Sequence, residues 1–345
     1  MIKEKNKNFK NIINIESILS NCNCTLRAVD YNKNLNILAY CSSNIVHIYD
    51  FILEKTVFTL KSNKERINSV RFIENEDINY LITINSEGIC NVWSIKNDKS
   101  ENFYLNYDNW SIVKSINSDD NESINCFDVV LDIDTNNLYI SFYTENQYLY
   151  LYLITSNGLI YKLLKLKQKS IIQDICLCFL TNNNIMLSTG GYDKLINIYV
   201  YNKNNYNYEK TIDNLKPNAV LKGHTNTIQG LSVDKKLLPK YMASCSQDTY
   251  VRLWSLKVLS KEDINIYKSS KRENITVFDE YKSQTSYVFN VDNIDYYHIL
   301  LETILSDHED SVSSVQIINN EKTNEIKLLT SSLDFTVGIW HYKNV

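Results

Sequence analysis

Strand-like alternation runs through most of this chain. Tyrosine and leucine alternate over residues 148–153, and a similar period-2 alternation occurs over residues 45–49. That period places the two sets on opposite faces of a β-strand. We find no helical pattern of useful length beside these runs. Short strands at this density without helices predict a sandwich, a barrel or a propeller.

One spacing recurs six times: a turn residue stands six positions before an aromatic residue in a strand-like run. The pairs are Ser43 with Tyr49, Glu87 with Trp93, Asn146 with Tyr152, Asp193 with Tyr199, Asp248 with Trp254, and Asp334 with Trp340. Each copy reads as an apolar strand, a polar gap, a second short strand, a tight turn and a third strand that ends in the aromatic residue. A fixed spacing repeated in this way predicts a β-propeller.

We therefore predict an all-β fold in which residues 1–345 form a single propeller domain. The chain length would also allow two domains, but all-β architectures often run this long as one unit. The predicted blades lie near residues 24–50, 65–94, 122–154, 170–201, 221–255 and 305–341. A long insertion over residues 256–300 precedes the sixth blade.

The fifth copy resembles the WD40 family most closely. It opens on Leu-Lys-Gly-His at 221–224, continues with Ala-Ser-Cys-Ser-Gln-Asp at 243–248 and closes on Val-Arg-Leu-Trp-Ser at 251–255. The resemblance implies that a His, a Ser or Thr, the turn Asp and the Trp form a hydrogen-bonded chain inside a blade. The residues at these positions in the fifth and sixth copies are His224, Ser244, Asp248, Trp254, His308, Asp334 and Trp340. The first four copies lack the His, and three copies carry Tyr in place of Trp.

A narrower resemblance follows the order of features along nearly the whole chain. It is carried by residues 24–29, 38–40 and 46–50, by 174–180 and 190–193, by 243–248, and by the insertion that leads into Leu-Glu-Thr at 301–303. Together these stretches resemble the N-terminal propeller of the Elongator complex subunit 2 family. That family implies a non-catalytic scaffold that supports modification of the wobble uridine in tRNA. The implied partners are the large scaffold subunit and the catalytic subunit, with tRNA contacted at most indirectly.

The same resemblance implies seven blades and a second propeller, whereas this sequence shows six copies. We expect either a fragment or a ring closed by an unrecognised segment, and residues 13–19 could supply one outer strand. Two other functions stay open. One is a WD scaffold of another intracellular assembly, such as iron–sulfur delivery or RNA processing, and the other is an enzyme or a direct tRNA binder.

Several residue groups suggest sharper chemistry, and each also has a structural interpretation. His224, Ser244 and Asp248 have the residue types of a hydrolase triad, but a nucleophile needs exposure, so a structural network is favoured. Cys22 with Cys24, and Cys176 with Cys178, are spaced for one face of a strand rather than for a four-ligand zinc site.

Two further groups face the surface in our interpretation. Lys165, Lys167 and Lys169 share one face of a strand-like run and could contact phosphate, although a solvated outer strand is favoured. The insertion carries tyrosines that could anchor a partner protein, because aromatic residues are frequent anchors of interfaces. These tyrosines are Tyr267, Tyr281, Tyr287, Tyr296 and Tyr297. The alternative interpretation of the insertion is a solvated loop without a partner.

The composition adds few constraints. The net charge of −4 is too small to imply a strongly charged partner. No leader-like start and no run of 18 apolar residues is found, so we expect no membrane span. The 8 cysteines should then be reduced thiols that pack as small apolar groups. We expect no catalytic residue, metal, cofactor or small-molecule substrate, and a cytoplasmic location with the nucleus as a second site.

Overall fold

Six antiparallel sheets account for nearly all regular structure in the described residues. The computed structural model describes residues 28–61, 65–74, 79–96, 102–204, 210–234, 239–260, 276–279, 284–291, 295–319 and 326–342. Within these ranges the only helices are three short 3₁₀ turns. The prediction of an all-β propeller with six recognisable blades is confirmed.

The first three sheets each contain four strands in chain order. The first sheet comprises β1 (Val29–Asn32), β2 (Ile37–Ser42), β3 (Ile45–Asp50) and β4 (Lys55–Lys61). The second comprises β5 (Ile67–Glu74), β6 (Asn79–Asn85), β7 (Ile89–Ile95) and β8 (Trp110–Asn117). The third comprises β9 (Ile124–Asp132), β10 (Asn137–Thr144), β11 (Tyr148–Ile154) and β12 (Ile160–Lys167).

The last three sheets differ in strand number. The fourth comprises β13 (Ile172–Phe179), β14 (Asn184–Gly191), β15 (Ile196–Asn202) and β16 (Ala219–Leu221). The fifth comprises β17 (Ile228–Val233), β18 (Tyr241–Ser246), β19 (Val251–Val258), β20 (Thr276–Asp279), β21 (Gln284–Val291) and β22 (Asp295–Leu305). The sixth has three described strands, β23 (Val312–Asn319), β24 (Ile326–Ser332) and β25 (Val337–Tyr342).

The insertion before the sixth blade extends the fifth sheet. Strand β22 pairs with β19 as the fourth strand of that sheet, and β21 and β20 add two more beyond it. The described part of the insertion is therefore sheet rather than a solvated loop. Tyr267, Tyr281, Cys22, Cys24 and residues 13–19 lie outside the described residues.

The repeated turn and aromatic residue occupy the hairpin between the second and third strand of each sheet. The prediction that the aromatic residue ends the third strand is wrong, because β19 passes Trp254 and runs on to Val258. In five hairpins the residue after the turn residue has a left-handed backbone, with φ between 63° and 73°. These residues are Gly88, Gln147, Lys194, Thr249 and Phe335.

Apolar cores lie between consecutive sheets, because alternate residues of each strand point to opposite neighbours. Trp93 packs between the first and second sheets, Ile140 between the second and third, and Tyr199 between the third and fourth. Trp254 packs between the fourth and fifth sheets, and Val315 between the fifth and sixth. Among the described residues no such core joins the sixth sheet to the first. Within the same residues we find no apolar helix of membrane-spanning length.

Candidate functional site

A chain of buried hydrogen bonds crosses the fifth sheet. His224 Nδ1 lies 2.9 Å from Asp248 Oδ2, and His224 Nε2 lies 2.9 Å from Ser244 Oγ. The indole N–H of Trp254 donates to the same Ser244 Oγ over 3.1 Å. With the imidazole proton on Nδ1, His224 donates to Asp248 and accepts from the Ser244 hydroxyl. Each polar group of this hydrogen-bond network then has a partner. The structure brings together the four residues that the sequence grouped.

Asp248 also holds the turn that precedes β19. Its Oδ2 accepts the backbone N–H of Thr225 at 2.9 Å, and its Oδ1 accepts that of Tyr250 at 3.1 Å. Burial by itself would raise the pKa of this carboxyl, but hydrogen bonds from His224 and from the two amides favour the ionised form. The pKa of Asp248 therefore lies below its ordinary value of 3.8.

The sixth sheet repeats the arrangement with threonine in place of serine. His308 Nδ1 lies 2.9 Å from Asp334 Oδ2, and His308 Nε2 lies 2.7 Å from Thr330 Oγ1. The indole N–H of Trp340 donates to Thr330 Oγ1 over 2.9 Å. The sequence interpretation missed Thr330, although its position ten residues before Trp340 matches that of Ser244 before Trp254.

The less regular copies keep parts of this network. In the second sheet the indole N–H of Trp93 donates to Thr83 Oγ1 over 3.1 Å. In the fourth sheet the Tyr199 hydroxyl donates instead to Gln168 Oε1 over 3.2 Å. The Thr189 hydroxyl is buried there without a described partner. Tyrosine in place of tryptophan thus keeps the aromatic packing, but its hydroxyl forms its hydrogen bond with a residue of a different loop.

The geometry of the fifth network does not suit nucleophilic catalysis. Ser244 is fully buried, and its oxygen already accepts the indole N–H of Trp254. A nucleophile needs access to a substrate carbonyl and a nearby oxyanion site. The network therefore serves the blade rather than a reaction. In the described part of the chain no group of three or more His, Cys, Asp or Glu is arranged to hold a metal ion.

The lysines of β12 face a carboxylate within the chain. Lys162 Nζ lies 2.5 Å and Lys165 Nζ 2.7 Å from the two carboxylate oxygens of Asp119. Lys167 Nζ donates to the carbonyl oxygen of Asn146 over 2.5 Å, and Lys169 is exposed. Because Lys162 and Lys165 share an internal counter-ion, this arrangement favours an outer strand face over a phosphate site.

The remaining sequence candidates pack inside the molecule. Cys176 and Cys178 are buried in the core between the fourth and fifth sheets. Tyr287, Tyr296 and Tyr297 of the insertion are buried as well. Any contact of the insertion with a partner would therefore use other side chains than these three rings.

Two of these tyrosines form hydrogen bonds that connect the insertion to the fourth sheet and the segment that follows it. The Tyr287 hydroxyl accepts the backbone N–H of Lys222 at 2.7 Å. The Tyr297 hydroxyl accepts Nδ2 of Asn184 at 3.1 Å. In the sequence of β21, Tyr287 and Phe289 stand two positions apart and therefore share a face of the strand. This period-2 pattern is the sequence signal that predicts their burial.

The first strand of each blade is its innermost strand, since the first strands of consecutive blades contact one another. Polar side chains on these strands join consecutive blades, and the sequence interpretation did not find them. Each accepts a backbone N–H from the innermost strand of the next blade, at 2.7–2.9 Å. The pairs are Asp30 with Phe72, Asp128 with Leu177, Asp174 with Leu231, and Ser232 with Ile317. The second and third blades are joined instead by a contact of 3.3 Å between Arg71 Nη2 and Asp128 Oδ1. An aspartate inside an otherwise apolar strand is the signal that marks such a position.

A turn of the first blade presents three consecutive apolar residues to solvent. Phe51 is 40% exposed, Ile52 70% and Leu53 45%. The buried Asp50 fixes their backbone, since its Oδ1 accepts the N–H groups of Ile52 and Leu53 at 2.7 Å each. Exposed runs of this kind are unfavourable unless another surface covers them.

The blade architecture and the Trp–Ser/Thr–His–Asp networks define a WD40-repeat β-propeller. The profile of the WD domain, G-beta repeat, matches residues 215–255 and 300–341. The crystal structure of the WD40 beta propeller domain of Doa1 superposes with a TM-score of 0.53, at 14% identity, over 92% of this chain and 78% of that one. This likeness shows the fold alone.

Over most of its length the sequence is similar to Elongator complex protein 2. The Drosophila melanogaster protein is 23% identical over 92% of this chain and 39% of its own length. The Dictyostelium discoideum protein is 23% identical over 94% of this chain and 40% of its own length. The Schizosaccharomyces pombe protein is 29% identical over 46% of this chain and 19% of its own length. The chain thus spans about two fifths of the length of the first relatives named here.

Proposed function

We propose that this protein is a scaffold subunit of an Elongator-like complex that supports modification of the wobble uridine in tRNA. The observation that carries the proposal is similarity to Elongator complex protein 2 over more than 90% of the chain, in relatives as distant as fly and Dictyostelium. In this proposal the chemistry belongs to another subunit, and this chain holds the assembly together.

Two features of the fold support a scaffolding role. The polar residues that resemble catalytic ones are buried in hydrogen-bond networks inside the blades. The surface carries apolar side chains suited to protein contacts, such as the turn at Phe51, Ile52 and Leu53. The exposed side chains of Val337 and Ile339 on β25 form a second such surface. WD40 propellers are typically non-catalytic scaffolds, and we propose the same for this chain.

The proposed partners are the large scaffold subunit and the catalytic subunit of the complex, with tRNA contacted at most indirectly. The proposal includes no cofactor, no small-molecule substrate and no membrane contact. It places the protein in the cytoplasm, with a fraction in the nucleus.

Affinity purification of the tagged chain from its own cells, followed by quantitative mass spectrometry, tests the proposal. We expect both the large scaffold subunit and the catalytic subunit among the recovered proteins. Recovery of neither subunit, with an intact bait, would contradict the assignment. Recovery of a different assembly would favour a WD scaffold of another kind.

A pair of charged substitutions tests whether the apolar turn takes part. We expect Ile52→Glu to reduce recovery of at least one subunit, because a carboxylate at the tip of the turn opposes burial in an interface. Leu159→Glu is the matched control, since Leu159 is 51% exposed in the loop before β12. Equal recovery with both variants would exclude the turn from the interface.

A further inference from the structure

A cavity of 430 Å³ opens where the fourth and fifth sheets meet, beside the end of β19. Six residues with apolar side-chain surface line it: Val258 is exposed, and the other five are buried, namely Leu180, Pro239, Tyr241, Leu256 and Tyr297. The volume lies within the range of pockets that bind ligands in proteins, roughly 300–1,000 Å³. None of these residues takes part in the hydrogen-bond networks of the fifth and sixth blades.

A buried hydroxyl in the cavity lining has no partner. Ser255 is 2% exposed, and its Oγ makes no hydrogen bond with any residue that the structure describes. Leaving a buried hydroxyl unpaired is costly, and Ser255 therefore adds an unpaired polar group to a lining that is otherwise mostly apolar.

Positive charge stands at the rim of the cavity. Lys240, which precedes β18, and Lys257, near the end of β19, are both exposed and both line the opening. In the described part of the chain neither lysine has a carboxylate partner. Apolar walls below two free ammonium groups complement a ligand with an apolar body and negative charges beside it.

We propose that this cavity binds a peptide segment of a partner protein, with an apolar side chain in the cavity and carboxylates against Lys240 and Lys257. A peptide is favoured over a small monocarboxylate because two separate ammonium groups are best neutralised by carboxylates on neighbouring residues of one chain. The proposal does not depend on the identity of the complex, and it would hold for a WD40 scaffold of any assembly.

Fluorescence anisotropy with a defined peptide tests the proposal on the full chain. The probe is a fluorescein-labelled heptapeptide, Gly-Asp-Glu-Leu-Asp-Glu-Gly. One control peptide has lysine in place of every acidic residue, and another has serine in place of leucine. We expect binding of the first peptide only. No measurable binding of the acidic peptide, or equal binding of the serine peptide, would overturn the proposal.

Charge-reversal variants assign the binding to this cavity. We expect Lys240→Glu and Lys257→Glu each to weaken the acidic peptide by roughly fivefold, since exposed ion pairs contribute modestly. Lys169→Glu is the matched control, since Lys169 is an exposed lysine between β12 and β13, and it should leave the affinity unchanged. An equal loss in all three variants would indicate general attraction to charge and would contradict a built site.

Two further measurements separate the cavity from its alternatives. Ser255→Leu, which enlarges a residue of the lining, should weaken binding. If that variant fails to fold, as its melting temperature would show, the two rim variants still decide the matter. Decanoate that binds in a lysine-dependent way while the acidic peptide does not would assign the cavity to small amphiphiles and overturn the peptide proposal. Failure of the peptide test leaves the purification result of the proposed function unaffected, so the two are distinguishable.

Discussion

At the scale of single residues, burial decides what His224, Ser244 and Asp248 do. The same three residue types can form a catalytic triad when the hydroxyl faces a substrate site. Here Ser244 lies inside the blade and accepts the indole N–H of Trp254, so its hydroxyl is committed to the fold. The sequence shows the four residues in the order His, Ser, Asp and Trp. The burial of Ser244, which keeps a substrate away from its hydroxyl, comes from the packing of the fourth sheet against the fifth.

Removing the carboxylate of this network should destabilise the protein. We expect Asp248→Ala to lower the free energy of unfolding by about 1–3 kcal/mol, because His224 and two backbone amides lose their acceptor. Asp193→Ala is the matched control, since Asp193 occupies the same turn position but is exposed and has no histidine partner. Urea denaturation measures both. An unchanged midpoint for Asp248→Ala would show that the network contributes nothing.

The two network carboxylates should make stability sensitive to acid. The pKa of Asp334 is lowered by hydrogen bonds from Thr336 and His308, and that of Asp248 is lowered by His224 and backbone amides. A carboxyl with a depressed folded-state pKa contributes stability above its unfolded value of 3.8, and this contribution is lost as pH falls through the folded value.

We therefore expect these two groups to add no pH dependence between pH 7 and about pH 5, and a loss of stability below about pH 4. Urea denaturation at a series of pH values measures the profile. The double variant Asp248→Asn with Asp334→Asn should show a shallower loss in acid. A loss as steep as that of the unsubstituted protein would mean that other carboxyls are responsible.

At the scale of elements, the hairpin between the second and third strands is the constant unit, and its backbone constrains one position. Five hairpins place a residue in the left-handed region directly after the turn residue. Glycine adopts this conformation freely, whereas a side chain with a Cβ is strained there. The sequence shows the spacing of the turn but not this constraint, because only one of the five residues, Gly88, is a glycine.

Opposite substitutions at this hairpin position should have opposite effects. Gly88→Ala should lower stability by about 1–3 kcal/mol, since its φ is 73° and a Cβ would lie 1.9 Å from the carbonyl oxygen of Glu122. Phe335→Asn should raise stability by about 0.5–1 kcal/mol, because Phe335 is fully exposed at φ 63° and asparagine tolerates that region better. Thermal denaturation of both variants checks the signs, and a stabilised Gly88→Ala would refute the argument.

At the scale of the whole molecule, the blades are joined by buried cores and by hydrogen bonds between their innermost strands. Asp128 stands at one such junction, where its carboxylate accepts the N–H of Leu177 and pairs with Arg71. Its side chain is fully buried, so neither contact is replaced by water when the carboxylate is removed. One residue of the third blade thus links the second blade to the fourth.

Loss of this link should cost more than loss of a hydrogen bond within one blade. We expect Asp128→Ala to lower the free energy of unfolding by about 3–5 kcal/mol, because the N–H of Leu177 loses its acceptor and Arg71 keeps only the longer contact of 3.9 Å with Asp30. Ser141→Ala, which removes a buried hydrogen bond to Tyr150 within the third sheet, should cost about 1 kcal/mol. Adding Arg71→Met to Asp128→Ala should restore part of the loss. Equal costs for the two single variants would contradict a special role for the link between blades.

The sequence by itself indicated the class of the fold and the six blades that the structure describes. Alternation of side chains and the six-residue spacing from turn to aromatic are local properties, so they are visible without any tertiary contact. The family resemblance, and not this spacing, implied that His224, Asp248 and Trp254 belong to one network.

Only the tertiary structure decided which surfaces are covered. It buried Tyr287, Tyr296 and Tyr297 of the insertion, joined Asp128 to the neighbouring blades, and left the cavity beside Ser255 open. Each of these depends on contacts between residues far apart in the chain. Such contacts cannot be read from residue type and spacing alone, because they form only when neighbouring sheets pack against one another.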